Sequence, residues 1–219
     1  MTKNPKGDTT VVVIDGGAVG EAVKGLLESV VVVIDDDGAV RDAVKGLLES
    51  VGLKVVLFQS AGEFLECTVP DTPCCMVLDV RMPKMSGLQL QEELARADVQ
   101  IPIVFITGHG DVAMAVRAMK AGAVDFLTKP FNNQQLLDAI FAALERDRAR
   151  RSQQESISMM REHYNLLSVR EKEVLSHVAA GRLNKQIAAE LGISEVMVKV
   201  HRANECGRCM PSRWPSWSE

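Results

Sequence analysis

VVVIDDDGAVRDAVKGLLESV, residues 31–51, decides the fold. Its opening apolar run is closed by Asp35, Asp36, Asp37 and Gly38, which reads as a buried strand and a tight turn. The apolar spacing that follows is that of an amphipathic helix. The same alternation continues downstream. Residues 53–58 (LKVVLF), 75–80 (CMVLDV), 102–107 (PIVFIT) and 124–129 (VDFLTK) are strand-like, and residues 60–66, 87–96, 111–121 and 132–144 carry helical patterns between and after them. Strands that are apolar throughout, each followed by a helix, suit a parallel sheet covered on both faces. The expected fold is therefore α/β, a doubly wound five-strand parallel domain over residues 31–145.

Immediately upstream, residues 11–30 (VVVIDGGAVGEAVKGLLESV) repeat the same strand–turn–helix string. Two copies are too few for a solenoid. The first copy has Asp15-Gly16-Gly17 where the second has Asp35-Asp36-Asp37, and it runs from Ser29 directly into the next strand. The second copy leaves through Gly52 and keeps its acids, so function is assigned to it. The first copy, within an N-terminal extension over residues 1–30, is either an appendage at a sheet edge or a competitor for the central slot. A nucleotide-binding role for Gly16-Gly17-Ala18-Val19-Gly20 fails on spacing, which is neither GxGxxG nor a P-loop.

Beyond residue 145 the composition changes. Residues 146–165 are charged and free of Gly and Pro, which predicts a helical linker, and an all-helical pattern fills residues 166–204. That pattern opens on Ser168-Val169-Arg170-Glu171, a capping box in which serine and glutamate satisfy exposed N–H groups. NKQIAAELGIS, residues 184–194, then reads as helix, glycine-containing turn and second helix, the helix-turn-helix pattern. The second helix, to about residue 203, carries Lys199, His201 and Arg202, which suit base edges and phosphates in a major groove. His201 has no second metal ligand at usable spacing.

The bulk properties agree with this layout. A length of 219 residues leaves room for one large domain or two small ones. A net charge of -4 argues against a generally basic nucleic-acid binder but leaves room for a local basic reading head. The N-terminus is polar, without the apolar stretch of a signal peptide, and no apolar run approaches the roughly 20 residues needed to span a bilayer. An odd number of cysteines, five, favours reduced thiols, so the expectation is a cytoplasmic chain with no membrane contact. Cys206 and Cys209 form a C-x-x-C pair with neither a following βαβ unit nor a partner pair, which removes the redox and zinc readings.

In an open parallel sheet, ligands sit beyond the carboxyl ends of the strands. Asp35, Asp36 and Asp37 follow the first strand, Asp79 ends the third, Thr107 the fourth and Lys129 the fifth. An aspartate at a strand end also serves as a helix cap or turn former. Groups gathered from the ends of four strands are harder to explain that way. Clustered carboxylates repel unless a hard cation joins them, and Mg²⁺ prefers oxygen ligands. Under such a cation Asp79 stays ionised and can attack phosphorus, with Thr107 and Lys129 set to meet the phosphoryl oxygens.

IDDD, LDVRMPKMSG around Asp79, ITGHGD and FLTKPF together resemble response-regulator receivers, and the resemblance to the FixJ/NarL subfamily covers residues 31–204. It implies a CheY-like receiver, not an enzyme in the ordinary sense, in which Asp79 accepts phosphate from a sensor histidine kinase. It implies that Asp36, Asp79 and the backbone carbonyl of Arg81 hold Mg²⁺, with Asp35 completing the acidic pocket. Thr107 and Phe126 match the family's switch pair, and Lys129-Pro130 matches a peptide bond that is cis in the family. SVREKEVLSHVAAGRLNKQIAAELGIS resembles the LuxR-type output domain, in which Lys199 and Val200 match the base-reading stretch and Asn184 and Lys185 a backbone-contacting helix start. The implied partners are the kinase, promoter DNA and, on phosphorylation, a second copy of the chain.

The tail departs from that pattern. Family members continue into a dimerisation helix resembling MRKM…SLAELVR, whereas residues 205–219 read ECGRCMPSRWPSWSE, without helical period. One choice of codons for this tail reads MRKMHALSLAELVR once two bases are skipped, which points to a single-base frameshift. Without the last helix the output domain is expected to pair poorly and bind DNA weakly. Two other functions are weighed against this one. A receiver acting through protein contacts alone would dispense with DNA. Asp35-Asp36-Asp37-Gly38-Ala39 resembles the nucleophile motif of haloacid-dehalogenase-type phosphatases, in which Asp35 rather than Asp79 would be labelled; Ala39 and the missing late acidic pair depart from that motif.

Overall fold

The computed structural model describes residues 29–108 and 112–209. Residues 1–28, which hold all but the last two residues of the first strand–helix copy, together with His109, Gly110, Asp111 and residues 210–219, lie outside the described residues. By its contacts the chain divides into two compact units, residues 1–149 and 150–219.

The first unit is the expected parallel sheet. Its strands are β1 (Val30–Ile34), β2 (Lys54–Phe58), β3 (Cys74–Asp79), β4 (Ile103–Thr107) and β5 (Asp125–Thr128), in the order β2-β1-β3-β4-β5. Helices α1 (Gly38–Ser50), α2 (Ala61–Leu65), α3 (Gly87–Arg96), α4 (Val112–Lys120) and α5 (Asn133–Leu166) follow the strands in turn. Period-two alternation sends β1 to two cores. Val32 and Ile34 pack with Phe64, Leu90 and Phe105 on one face, while Val31 and Val33 pack with Val44, Leu48 and Ile140 on the other. Both faces of β1 are buried, which is why it is apolar throughout.

All strand limits fall within one residue of the sequence reading, β5 being trimmed by one residue at both ends. The helix after β5 differs more. The reading placed its end at residue 144 with a separate linker behind it, but α5 runs unbroken to Leu166. No Gly or Pro interrupts that span, so nothing in the backbone ends it. On α5, the buried Asp147 accepts a hydrogen bond from the Cys74 N–H at 3.0 Å, and Arg148 donates to the Ser29 hydroxyl at 2.8 Å. Helix and the amino ends of β1 and β3 are tied together by these two bonds.

The second unit contains α6 (Val169–Ala179), α7 (Asn184–Leu191) and α8 (Glu195–Cys209), closed on Val174, Ile187, Ala188 and Val198. The Ser168/Glu171 capping box forms as expected. Gly192 ends α7 at φ 66°, a left-handed conformation that favours glycine. The reading denied residues 205–209 a helical period, yet α8 continues through Cys209. Gly207 alone weakens a helix without ending it, and the first proline downstream is Pro211.

Candidate functional site

β1 and β3 are neighbours in register, Ile34 beside Leu78, so Asp35 and Asp79 leave the sheet side by side at the point where the strand order reverses. Asp35 is fully buried and Asp79 nearly so, whereas Asp36 is exposed. One oxygen from each of Asp35, Asp36 and Asp79 lies within 4.8 Å of the others. The next acid, Asp37, works on the helix instead. Its side chain accepts from the Ala39 N–H at 2.8 Å and caps α1. The Asp37 N–H donates to Asp35 Oδ1 at 2.9 Å, which fixes the rotamer of the buried acid.

Lys129, one residue past β5, reaches across the sheet ends. Its ammonium lies 2.6 Å from Asp35 Oδ2 and 3.3 Å from Asp79 Oδ2. The Lys129 N–H donates to the Thr107 carbonyl at 2.7 Å, so the lysine is placed by β4, whose last residue is the buried Thr107. Lys129-Pro130 is cis, as the resemblance implied. Phe126 is half-buried on β5, its ring 6.3 Å from that of Phe105.

Burial pushes the Asp79 carboxyl above the usual aspartate range; the Lys129 ammonium and the Arg81 N–H, 3.2 Å from Oδ1, pull it back, and Asp35 adds to the push. On Lys129 burial opposes the charge, but the Asp35 hydrogen bond and the two carboxylates outweigh it and raise the ammonium's pKa. Three carboxylates against one ammonium leave two negative charges at this rim. An oxygen-only donor set with that residual charge fits a divalent hard cation such as Mg²⁺.

Two residues essential to this geometry escaped the sequence reading. Gly87 opens α3, and a Cβ there would lie 2.3 Å from the Asp79 carbonyl oxygen, so only glycine fits beside the end of β3. Its signal was a glycine directly after the Ser86 cap, where most residues are tolerated. Arg41 donates to the Asp35 carbonyl at 2.6 Å, and no local pattern marks it.

In the second unit Lys185, Lys199 and Val200 are exposed, as a reading surface requires. Asn184, His201 and Arg202 are half-buried. Arg202 donates to Asn184 Oδ1 at 2.6 Å, bracing α8 against the start of α7. The His201 Nδ1 is buried with no hydrogen-bond partner among the described residues.

Residues 31–141 match the family described as response regulator receiver domain, and residues 165–206 match bacterial regulatory proteins of the luxR family. Among similar proteins, Nodulation protein W of Bradyrhizobium diazoefficiens is 56% identical over 154 residues, 70% of this chain and 68% of the relative. Response regulator protein TmoT of Ectopseudomonas mendocina is 50% identical over 202 residues, 92% of this chain and 82% of the relative. A low-resolution structure of the response regulator StyR superposes with a TM-score of 0.74 at 49% identity, covering 83% of this chain and 92% of that one. The chain belongs to the response regulators, as a receiver domain followed by a LuxR-type helix-turn-helix DNA-binding domain.

Proposed function

We propose that Asp79 is the phosphoacceptor of a two-component transcriptional regulator. The observation that carries this reading is the near-buried Asp79 carboxylate facing Lys129 within the three-acid cluster. Asp79 Oδ attacks the phosphorus of a sensor histidine kinase's phosphohistidine or of a small phosphodonor. The new O–P bond forms as the bond to the donor breaks, and the leaving group keeps the electron pair. Asp35, Asp36, Asp79 and the backbone carbonyl of Arg81 would hold Mg²⁺, which when bound supplies charge neutralisation for the phosphoryl oxygens. Lys129 leaves its carboxylate partners to meet one of those oxygens, and the Thr107 hydroxyl meets another.

Capture of phosphate by Thr107 favours an inward Phe126, and the population shift exposes a face around α4 and β5 to a second copy of the chain. Two output domains then read promoter DNA. Lys199 and Val200 are the base-reading residues, Lys185 and the start of α7 at Asn184 follow the phosphate backbone, and His201 and Arg202 complete the α8 surface. This reading places the protein in the cytoplasm, in keeping with the absence, among the described residues, of a helix long and apolar enough to cross a membrane.

The test is incubation with acetyl phosphate, with and without Mg²⁺, comparing the parent with Asp79→Asn. Mg²⁺-dependent labelling of the parent alone is expected. Equal labelling of the variant would overturn the assignment.

A further inference from the structure

Among the described residues the buried polar side chains are Ser29, Asp35, Asp79, Gln91, Thr107 and Asp147. Asp35, Asp79 and Thr107 sit at the acidic rim, while Ser29 and Asp147 tie α5 to the amino ends of β1 and β3. Gln91 belongs to neither group. It lies on α3, 6% exposed, and its amide nitrogen donates to the carbonyls of Ala118 at 3.4 Å and Ala121 at 3.3 Å. These carbonyls stand in and just past the last turn of α4, where a helix runs out of donors of its own. A buried amide is costly unless its N–H groups are paired, and Gln91 pairs both of them across the gap between two helices.

The two ends of α4 are held differently. Ala118, the residue that α4 buries, lies in its carboxyl half. The turn that follows is closed by the Ala121 N–H on the Arg117 carbonyl at 3.0 Å, Gly122 on Met119 at 3.0 Å and Ala123 on Ala118 at 3.1 Å. Toward the amino end Val112 is 80% exposed and Val116 46%, with Met114 half-buried against the core. A second link between the helices, Arg117 to Glu92 at 2.6 Å, is exposed on both sides and contributes little. One turn before Gln91, α3 is seated on β3: the Gly87 N–H meets the Val80 carbonyl at 2.9 Å, with no room for a Cβ beside Asp79. Gln91 therefore links the carboxyl end of α4 to the strand that ends in Asp79.

We propose that Gln91 is a positioning residue, a pin that makes the carboxyl end of α4 a pivot, so that loading of Asp79 swings the amino end alone. The inference rests on Asp79 as phosphoacceptor and adds a residue that shapes the response. With one end fixed to α3, a change at Thr107, which ends the strand before α4, is delivered to Val112 and Val116 instead of shifting the whole helix. Without the pin the same change spreads along α4 and is diluted.

The experiment uses the full chain, isotope-labelled, and reads amide hydrogen exchange along α4 by NMR with and without beryllofluoride plus Mg²⁺, a phosphoryl mimic for a carboxylate acceptor. In the parent, loading is expected to change exchange at Val116 and Arg117 by about fivefold or more, and at Ala121, Gly122 and Ala123 by less than about twofold. Gln91→Met keeps the length of the side chain and removes both donors. Its unloaded form is expected to exchange about tenfold faster at Ala121, Gly122 and Ala123, as for loss of two modest hydrogen bonds. Its loading response is expected to reach those three amides, while its labelling by acetyl phosphate matches the parent. Arg117→Ala, which removes the surface ion pair and leaves the amide, is expected to behave as the parent does. Equal responses at both ends of α4 in a labelled parent, or none at either, would overturn the pivot without any variant. A Gln91→Met chain whose response stays confined to the amino end would overturn the role of Gln91. A parent that neither takes label nor responds to beryllofluoride would refute the reading of Asp79 instead. The unloaded comparison then still decides the pin, which unchanged exchange at residues 121–123 in Gln91→Met would overturn.

Discussion

A Cβ placed on Gly87 would sit 2.3 Å from the carbonyl oxygen of Asp79, and the Gly87 N–H donates to the Val80 carbonyl at 2.9 Å. The first residue of α3 and the last of β3 are therefore in direct backbone contact, and the position of Asp79 depends on a missing side chain.

Gly87→Ala tests that dependence. In an ordinary helix the change would add stability through propensity. Here the clashing atom is backbone, so β3 or α3 must move, and a loss of about 1–3 kcal/mol is expected, as for overpacking. Thermal unfolding measures the loss, and acetyl phosphate labelling is expected to fall with it because Asp79 moves. A variant as stable as the parent would show that the contact relaxes without cost.

That contact also marks how far the sequence could be read. The strands were legible because burial on both faces makes residues 31–34 and 75–78 apolar without interruption. Asp35, Asp79, Thr107 and Lys129 were legible because a parallel sheet puts all strand ends on one rim. Arg41 and Gly87 were not, because each acts through a backbone approach set by packing rather than by spacing. Spacing alone does not separate Asp36 from Asp37; the family resemblance singled out Asp36, and the structure places Asp36 in the three-acid cluster and Asp37 on the α1 cap. The length of α5 was missed for another reason: composition changes at residue 145 while the helical hydrogen bonds do not.

Asp79 gives the site a pH signature. Its carboxyl is raised above the ordinary value of 3.8, chiefly by burial, so the folded chain holds that proton more tightly than the unfolded one. The group's contribution to stability therefore falls as pH rises from 3.8 through the raised value. Lys129, raised above 10.5, keeps its own contribution below that pH and loses it only in alkali. In Mg²⁺-free buffer at neutral pH, Asp79→Asn is expected to unfold at a higher temperature than the parent, with the gap closing toward pH 4. Added Mg²⁺ should raise the parent's midpoint more than the variant's. A variant less stable than the parent at pH 7 would mean that its Lys129 interaction outweighs the burial.

The reading head separates contact from bracing. Lys199 is exposed on α8, so Lys199→Ala is expected to weaken DNA binding and to lower the slope of log affinity against log salt by about 1. Arg202 and Asn184 hold each other at 2.6 Å, so Arg202→Ala and Asn184→Ala are expected to weaken binding by similar factors, with the double variant no worse than either. Binding to a DNA fragment over a salt series, followed by fluorescence anisotropy, measures all four variants. Additive losses would mean that Arg202 and Asn184 meet DNA independently rather than as a braced pair.

Asp36 and Asp37 stand next to each other and are expected to fail differently. Asp36 is exposed and shares the 4.8 Å cluster with Asp35 and Asp79, so on the proposed reading its carboxylate serves the cation and little else. Asp36→Asn should leave Mg²⁺-free stability within about 0.5 kcal/mol, as for an ordinary surface change. Its Mg²⁺ affinity should drop about tenfold or more, since a carboxylate of the set is gone. Asp37 instead accepts the Ala39 N–H at 2.8 Å, and Asp37→Ala should cost about 1 kcal/mol with or without the ion. Because the Asp37 N–H still reaches Asp35 Oδ1 after truncation, the buried acid keeps its orientation and Mg²⁺ binding should change by less than in Asp36→Asn. Urea unfolding and Mg²⁺ titration of the two variants form a crossed comparison, in which stability should separate Asp37 and affinity should separate Asp36. If both variants lose both properties, the turn acts as one unit, and cap and ligand cannot be assigned to separate aspartates.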